Sequence, residues 1–230
     1  MIFDPMYFLL MAPAFALSLW ASFATKSAFK KYARQRSARG ITGAQAAQAL
    51  LDRAGITDVK VVRTAGYLSD HYNPVTKTLA LSEPVYDQPS VSAIGVACHE
   101  AGHAIQHATN YGPLWLRSAL VPMAGIGSSL GYFVMFGGLI LAWQNLVLLG
   151  AVLFSAVLLF QIVTLPVEFD ASARAKKLAF EHGLVTESER RGVAKVLNAA
   201  AMTYVAAAVS SLLTLLYFLM RAGLLGGRDE

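Results

Sequence analysis

The chain alternates between long apolar runs and charged intervals. Four runs are nearly free of charge, over residues 5–24, 119–143, 146–165 and 199–220. A helix needs about 20 apolar residues to cross a bilayer, so each run predicts a transmembrane helix. The second holds Gly127 and Gly131 in a G-x-x-x-G frame, followed by Gly137 and Gly138. Small residues at that spacing let helices approach closely in lipid, and the contact is predicted within the chain rather than between copies.

The charged intervals carry shorter patterns. Residues 26–39 form a basic amphipathic stretch suited to anionic headgroups. Thr42 is an N-cap for a helix with Ala46, Ala47, Leu50, Leu51 and Ala54 at helical spacing, and Gly55 is its stop. Val59, Val61 and Val62 mark a strand over 58–64. Asn73-Pro74 marks a turn, and residues 78–81 read as a returning strand. A small antiparallel sheet is expected, with the 78–81 edge open to an extended peptide by strand addition. Glu83-Pro84 and Pro89 break structure. Ser90 caps a helix over 91–109, which Asn110, Gly112 and Pro113 end. Beyond the third apolar run, which stops at Pro166, helical residues continue to Phe180, with Gly183 as the stop. Thr186 and Glu189 form a capping box for a helix that runs into the fourth apolar run.

Composition agrees with membrane insertion. Of 230 residues, 56% are hydrophobic and 14% charged, against about 25% charged in soluble domains. The first run lacks a basic leader, so it reads as a retained anchor and not as a signal peptide. The net charge of +5 is a matter of topology. Of 19 Lys and Arg, eleven lie between Lys26 and Arg117 and six between Arg174 and Lys195. By the positive-inside rule both intervals are cytoplasmic, and the termini and the 144–145 turn lie on the opposite side. No basic patch interleaved with aromatics is present, which argues against nucleic acid as a partner. The single cysteine, Cys98, forms no internal disulfide, in keeping with a reducing face. It neighbours His99 but points about 100° away around the helix, as a core thiol would.

The candidate chemistry lies at His99-Glu100-Ala101-Gly102-His103, an H-E-x-x-H pattern. Residues four apart share a helix face, so His99 and His103 can bind one zinc ion while Glu100 acts as general base. The same five letters also occur on ordinary helices, and a catalytic zinc takes three protein ligands. His107 is excluded as the third. It lies eight residues from His99, roughly 12 Å of helical rise, whereas ligands of one zinc lie about 3–4 Å apart. Glu168 is the better candidate. It sits at the exit of the third apolar run, where a carboxylate needs a partner, and a helical hairpin returns it to the face that carries the H-E-x-x-H helix. Two His and one later Glu form a thermolysin-like set.

These residues resemble those of the YugP-type membrane-embedded neutral zinc metallopeptidases and, more distantly, the HtpX heat-shock protease and the CAAX prenyl proteases. The resemblance is carried by H-E-A-G-H at 99–103, by D-H-Y-N-P-x-T-K-x-L-x-L-S at 70–82 and by V-E-F-D-A-S-x-R-A at 167–175. It spans nearly the whole chain and implies zinc dependence, peptide-bond hydrolysis and an active site at the cytoplasmic membrane surface. One departure stands out. The distant relatives carry an aspartate four residues after the ligand glutamate, where this chain has Ser172; its acid is Asp170, which points nearly opposite to Glu168 and forms an i, i+4 pair with Arg174. A donor for the developing oxyanion is also needed. His71 is the first candidate, followed by Tyr204, Arg174 and His182.

The expectation is a mainly α integral membrane protein. About four transmembrane helices accompany a cytoplasmic zincin-like α+β portion, made of a small antiparallel sheet and the HExxH helix. The expected segments are a transmembrane anchor (1–24), a cytoplasmic metallopeptidase portion (25–118), a transmembrane hairpin (119–166), a cytoplasmic helical segment with the third ligand (167–198), and a final transmembrane helix with its tail (199–230). The expected activity is that of a zinc endopeptidase with one Zn2+ held by His99, His103 and Glu168 and with Glu100 as base. Its substrates are peptides or membrane proteins, and membrane protein quality control is a fitting role. It sits as a multi-pass protein in the cell membrane, alone or with an oligomeric or scaffold partner. The alternatives are a non-catalytic zinc-binding scaffold and a zinc amidohydrolase of non-peptide amides.

Overall fold

The apolar runs become helices that extend past the ends of the runs themselves. A computed structural model describes residues 4–225. In chain order its elements are α1 (Pro5–Ala33), α2 (Gly43–Arg53), β1 (Lys60–Thr64), β2 (His71–Asn73), β3 (Thr78–Ser82), α3 (Glu83–Tyr86), α4 (Val91–Ala108) and α5 (Gly112–Ile126). A π-helical turn (Gly127–Gly131) joins α5 to α6 (Tyr132–Ile140), and α7 (Gln144–Glu181) and α8 (Glu187–Arg221) follow. The chain is mainly helical. Four helical stretches, Pro5–Ala33, Gly112–Ile140, Gln144–Glu181 and Glu187–Arg221, are long and apolar enough to cross a membrane, as a multi-pass protein requires. The extreme ends assigned to the face opposite the charged intervals, residues 1–3 and 226–230, lie outside the described residues.

Three of these stretches differ from their expected extent; the second already starts at Gly112, among the residues expected to end the preceding helix, and stops at Ile140. Helix α1 continues through Ala33, so the first part of the basic stretch prolongs the anchor helix. Lys30 and Lys31 occupy its last turn, where cations are favoured by the helix dipole. Helix α7 runs unbroken through Pro166. Proline removes one backbone donor there, but beside an apolar run the remaining backbone groups find no better partners than their own helix.

The described residues fall into two compact units. The first comprises residues 4–20, Leu116–Leu165 and 203–225. Its core is Met135, Val147, Ala151, Phe154, Tyr217 and Phe218. The Gly127–Gly131 frame faces α7 here. A Cβ on Gly131 would lie 2.8 Å from the Phe154 nitrogen, and one on Gly150 would lie 2.4 Å from the Met135 nitrogen. The two helices therefore meet backbone to backbone within the chain. At one end Tyr217 Oη donates to Asp4 Oδ2 at 2.9 Å, and Arg221 Nε lies 3.0 Å from the same oxygen.

The second unit comprises Ala21–Trp115 and Pro166–Met202. The reciprocal Thr42–Gln45 capping box starts α2. Its Leu50 and Leu51 join Leu79, Leu81, Val85 and Ile94 in a core around α4. Ser90 caps α4 by accepting the Ala93 N–H. Glu83-Pro84 opens a short helix, α3, with Pro in its first turn, the one helical place where its missing N–H costs nothing.

The sheet is mixed, not antiparallel. Its strand order is β1-β3-β2. Strand β3 pairs antiparallel with β2, His71 opposite Ala80, and parallel with β1, Lys60 opposite Thr78. The 78–81 segment is therefore the central strand, and it has no edge to offer a peptide. The loop between β1 and β2 explains the order. Gly66 (φ 110°) and Leu68 (φ 55°) turn the chain there, so β2 forms away from β1 and β3 inserts between them. Burial agrees, since Leu79, Ala80 and Leu81 are all buried and a strand covered on both faces belongs in the middle. Asp70 pins the far end of the pair by accepting the Ser82 N–H at 2.7 Å and the Ser82 hydroxyl at 3.0 Å.

The close packing in the first unit makes a test. Gly131→Ile forces the two backbones apart and is expected to destabilise the purified protein by about 1–3 kcal/mol, read as a lower melting temperature in detergent with an unchanged oligomeric state. An unchanged melting temperature together with loss of a dimer would show that the frame serves self-association instead.

Candidate metal centre

Helix α4 is buried along most of its length, and α7 comes close to it in the second unit. The contact needs Gly102. A Cβ at that position would lie 2.8 Å from the Ala171 carbonyl oxygen and 3.3 Å from the Ala171 Cα, so only glycine lets the helices meet at this spacing. Glu168, one turn before Ala171, is thereby brought to the level of the two histidines.

The resulting geometry is compact. Glu168 Oε2 lies 3.2 Å from His99 Nε2 and 3.6 Å from His103 Nε2. The imidazole rings stand edge to face with centroids 4.7 Å apart. One ligand atom from each of the three residues falls within 4.8 Å of the others. Ligands of a tetrahedral zinc with bonds of about 2.0–2.1 Å stand about 3.3 Å apart, so these donors suit that ion in chemistry and in spacing. Glu168 is only 2% exposed, while the His99 side chain is 14% exposed and forms the accessible side.

The second nitrogen of each imidazole also has a partner. His99 Nδ1 lies 3.2 Å from the Ser172 hydroxyl. The Ser172 hydroxyl thus reaches the histidine across the α4–α7 contact. His103 Nδ1 lies 2.9 Å from Gln106 Oε1. The Gln106 amide nitrogen bonds the Val167 carbonyl and Asp170 Oδ2, each at 2.8 Å. Asp170 pairs with Arg174 at 2.6 Å as expected, and through Gln106 it also reaches the metal helix. The sequence alone does not point to Gln106, and it points to Ser172 only as a departure from the aspartate of the distant relatives. A glutamine on the buried face of an otherwise apolar helix was the available signal, because such a side chain needs partners.

Electrostatics favour a cation at this place. Burial works against the charged form of His103, but the adjacent Glu168 outweighs it and holds the imidazole pKa above its ordinary value. Burial pushes the Glu100 carboxyl up, with His99 and His103 opposing. Glu100 is itself buried. The Cys98 thiol is fully buried and pushed up to about 12, so it stays protonated, unlike a metal-ligating thiolate.

The other candidates have their own surroundings. His71 lies exposed on β2, with Nδ1 2.9 Å from the Ser69 carbonyl oxygen. The His107 ring bonds Tyr72 Oη at 2.8 Å. His182 follows the end of α7, and its carbonyl accepts from Arg53 at 2.6 Å. The Arg174 guanidinium is engaged with Asp170 and stands 5.7 Å from the centre of the Tyr111 ring. Tyr204 belongs to the first unit, on α8.

Comparison with known proteins agrees with this chemistry. The family model described as "putative neutral zinc metallopeptidase" matches residues 7–223, and the chain belongs to that family. It is 47% identical over 225 residues to a protein of Bacillus subtilis (strain 168) described as "putative membrane protease YugP", with 98% of this chain and 99% of the relative covered. No solved structure matches.

Gly102→Ala tests whether the α4–α7 spacing sets the centre. The added methyl meets backbone, which cannot rotate away, and is expected to cost about 1–3 kcal/mol of stability and to weaken zinc binding in chelator competition. Wild-type zinc affinity in G102A would show that the spacing is not what positions Glu168.

Proposed function

We propose that this chain is a membrane-embedded zinc endopeptidase of the two-His-one-Glu kind, in which His99, His103 and Glu168 hold one zinc ion and Glu100 is the general base. The observation that carries the proposal is the buried Glu168 carboxylate lying against the Nε2 atoms of both histidines. Membership of a zinc metallopeptidase family and the similarity to a membrane protease support it.

When bound, zinc supplies Lewis acidity, polarising the scissile carbonyl and easing the ionisation of a water. The protein supplies the remaining steps. Glu100 takes a proton from the attacking water as the new C–O bond forms. It then gives that proton to the amide nitrogen as the C–N bond breaks, leaving a carboxylate and an amine. Burial raises the Glu100 pKa above the ordinary carboxylate value, the direction in which a carboxylate becomes a stronger base. Ser172 and Gln106 hold the two imidazoles in orientation. His71 stands as the candidate for the oxyanion donor.

The distribution of Lys and Arg supports a cytoplasmic placement of the centre. Glu168 follows the third apolar run by three residues, so peptide segments at the membrane surface are the natural substrates. Clearance of membrane proteins fits such a protease.

Two substitutions separate base from ligand. Glu100→Gln is expected to keep stoichiometric zinc by elemental analysis and to lose peptide hydrolysis by roughly 10²–10⁴-fold. Glu168→Ala is expected to lose the metal. Full zinc content in E168A would remove Glu168 from the ligand set, and unimpaired hydrolysis in E100Q would overturn the peptidase mechanism.

A further inference from the structure

Gln106 is a fully buried polar side chain of α4, and its three bonds leave it no freedom. The Val167 carbonyl and the Asp170 carboxylate can only accept, so both N–H groups of the amide are committed to α7. Arg174 Nε bonds the same Asp170 oxygen at 2.6 Å, which holds that carboxylate in place. The edge of the amide left for His103 is therefore Oε1, an acceptor, 2.9 Å from Nδ1. A hydrogen bond across that gap requires the proton to sit on Nδ1, and the lone pair then falls on Nε2, on the Glu168 side of the ring.

We propose that Gln106, clamped by Val167 and Asp170, is a positioning residue that selects the Nδ1–H tautomer of His103 and so makes Nε2 a metal donor. The inference rests on the metal-centre reading above. His99 is treated differently, because the Ser172 hydroxyl at its Nδ1 can donate or accept and imposes no tautomer. The His103 arm is thus prepared before metal arrives, and the His99 arm adjusts to it. The preparation comes from α7, the same helix that delivers Glu168, so ligand and tautomer are set by one helix contact.

The test compares zinc affinity, by chelator competition in detergent, for wild type, His103→Ala, Gln106→Met and Asp170→Asn. Methionine keeps the volume of Gln106 without the amide. Asparagine keeps an oxygen able to accept from both Gln106 and Arg174. Gln106→Met is expected to bind zinc roughly 10–100-fold more weakly, and Asp170→Asn to stay close to wild type. Wild-type affinity in a folded Q106M, with weak binding in H103A, overturns the Gln106 proposal alone. Wild-type affinity in H103A overturns the metal-centre reading, and this proposal with it. Should Q106M fail to fold, long-range 1H–15N correlation spectra of zinc-loaded, histidine-labelled wild type decide. A protonated Nδ1 and coordinated Nε2 at His103 are expected, and coordination through Nδ1 overturns the proposal.

Discussion

Placing a carboxylate where water barely reaches costs several kcal/mol unless positive charge compensates it. Glu168 is such a carboxylate, and the second unit is arranged around that constraint. Two imidazoles from α4 face it, and Gly102 lets the helices meet closely enough for this. The same stretch of α7 continues the support. The Val167 carbonyl and Asp170 hold Gln106 against His103, and Ser172 meets His99. One stretch of one helix thus brings a carboxylate to the two imidazoles and gives each of them a hydrogen-bond partner, directly at His99 and through Gln106 at His103. A divalent cation satisfies the carboxylate and both imidazole lone pairs together, which a single proton cannot do.

The parts of the fold governed by local pattern were legible in the sequence. Four long apolar runs have no other stable outcome than helices, and Thr42 and Ser90 marked the starts of α2 and α4 because a capping oxygen is a local requirement. The positions of β1 and β3 were legible for the same reason, but β2 (His71–Asn73) was not, because its last residue read as the start of the Asn73-Pro74 turn. The order of the strands was not legible either, because nothing in residues 58–82 states whether β3 returns beside β2 alone or also beside β1. That depends on where the loop with Gly66 and Leu68 leads the chain. The continuation of α1 beyond Ala24 was hidden by its lysines, which looked like the start of a separate surface segment but also suit the last turns of a helix.

The candidate metal centre shows the same division. That His99 and His103 share a face follows from helical spacing alone. That Glu168 meets them depends on two helices more than 60 residues apart in the chain and on a glycine between the histidines whose importance appears only when Ala171 is seen against it. Angular reasoning placed Asp170 on the side of α7 away from Glu168. It does not touch a histidine, yet it acts on His103 through Gln106, and a relay through a third residue cannot be read from the geometry of one helix.

Zinc K-edge X-ray absorption of the purified wild-type protein tests the ligand set most directly. A single zinc per chain is expected, with two imidazole nitrogens and one carboxylate oxygen at about 2.0–2.2 Å, a light-atom fourth ligand and no sulfur. A sulfur shell near ~2.3 Å, or a coordination sphere without two imidazoles, would contradict a centre built from His99, His103 and Glu168.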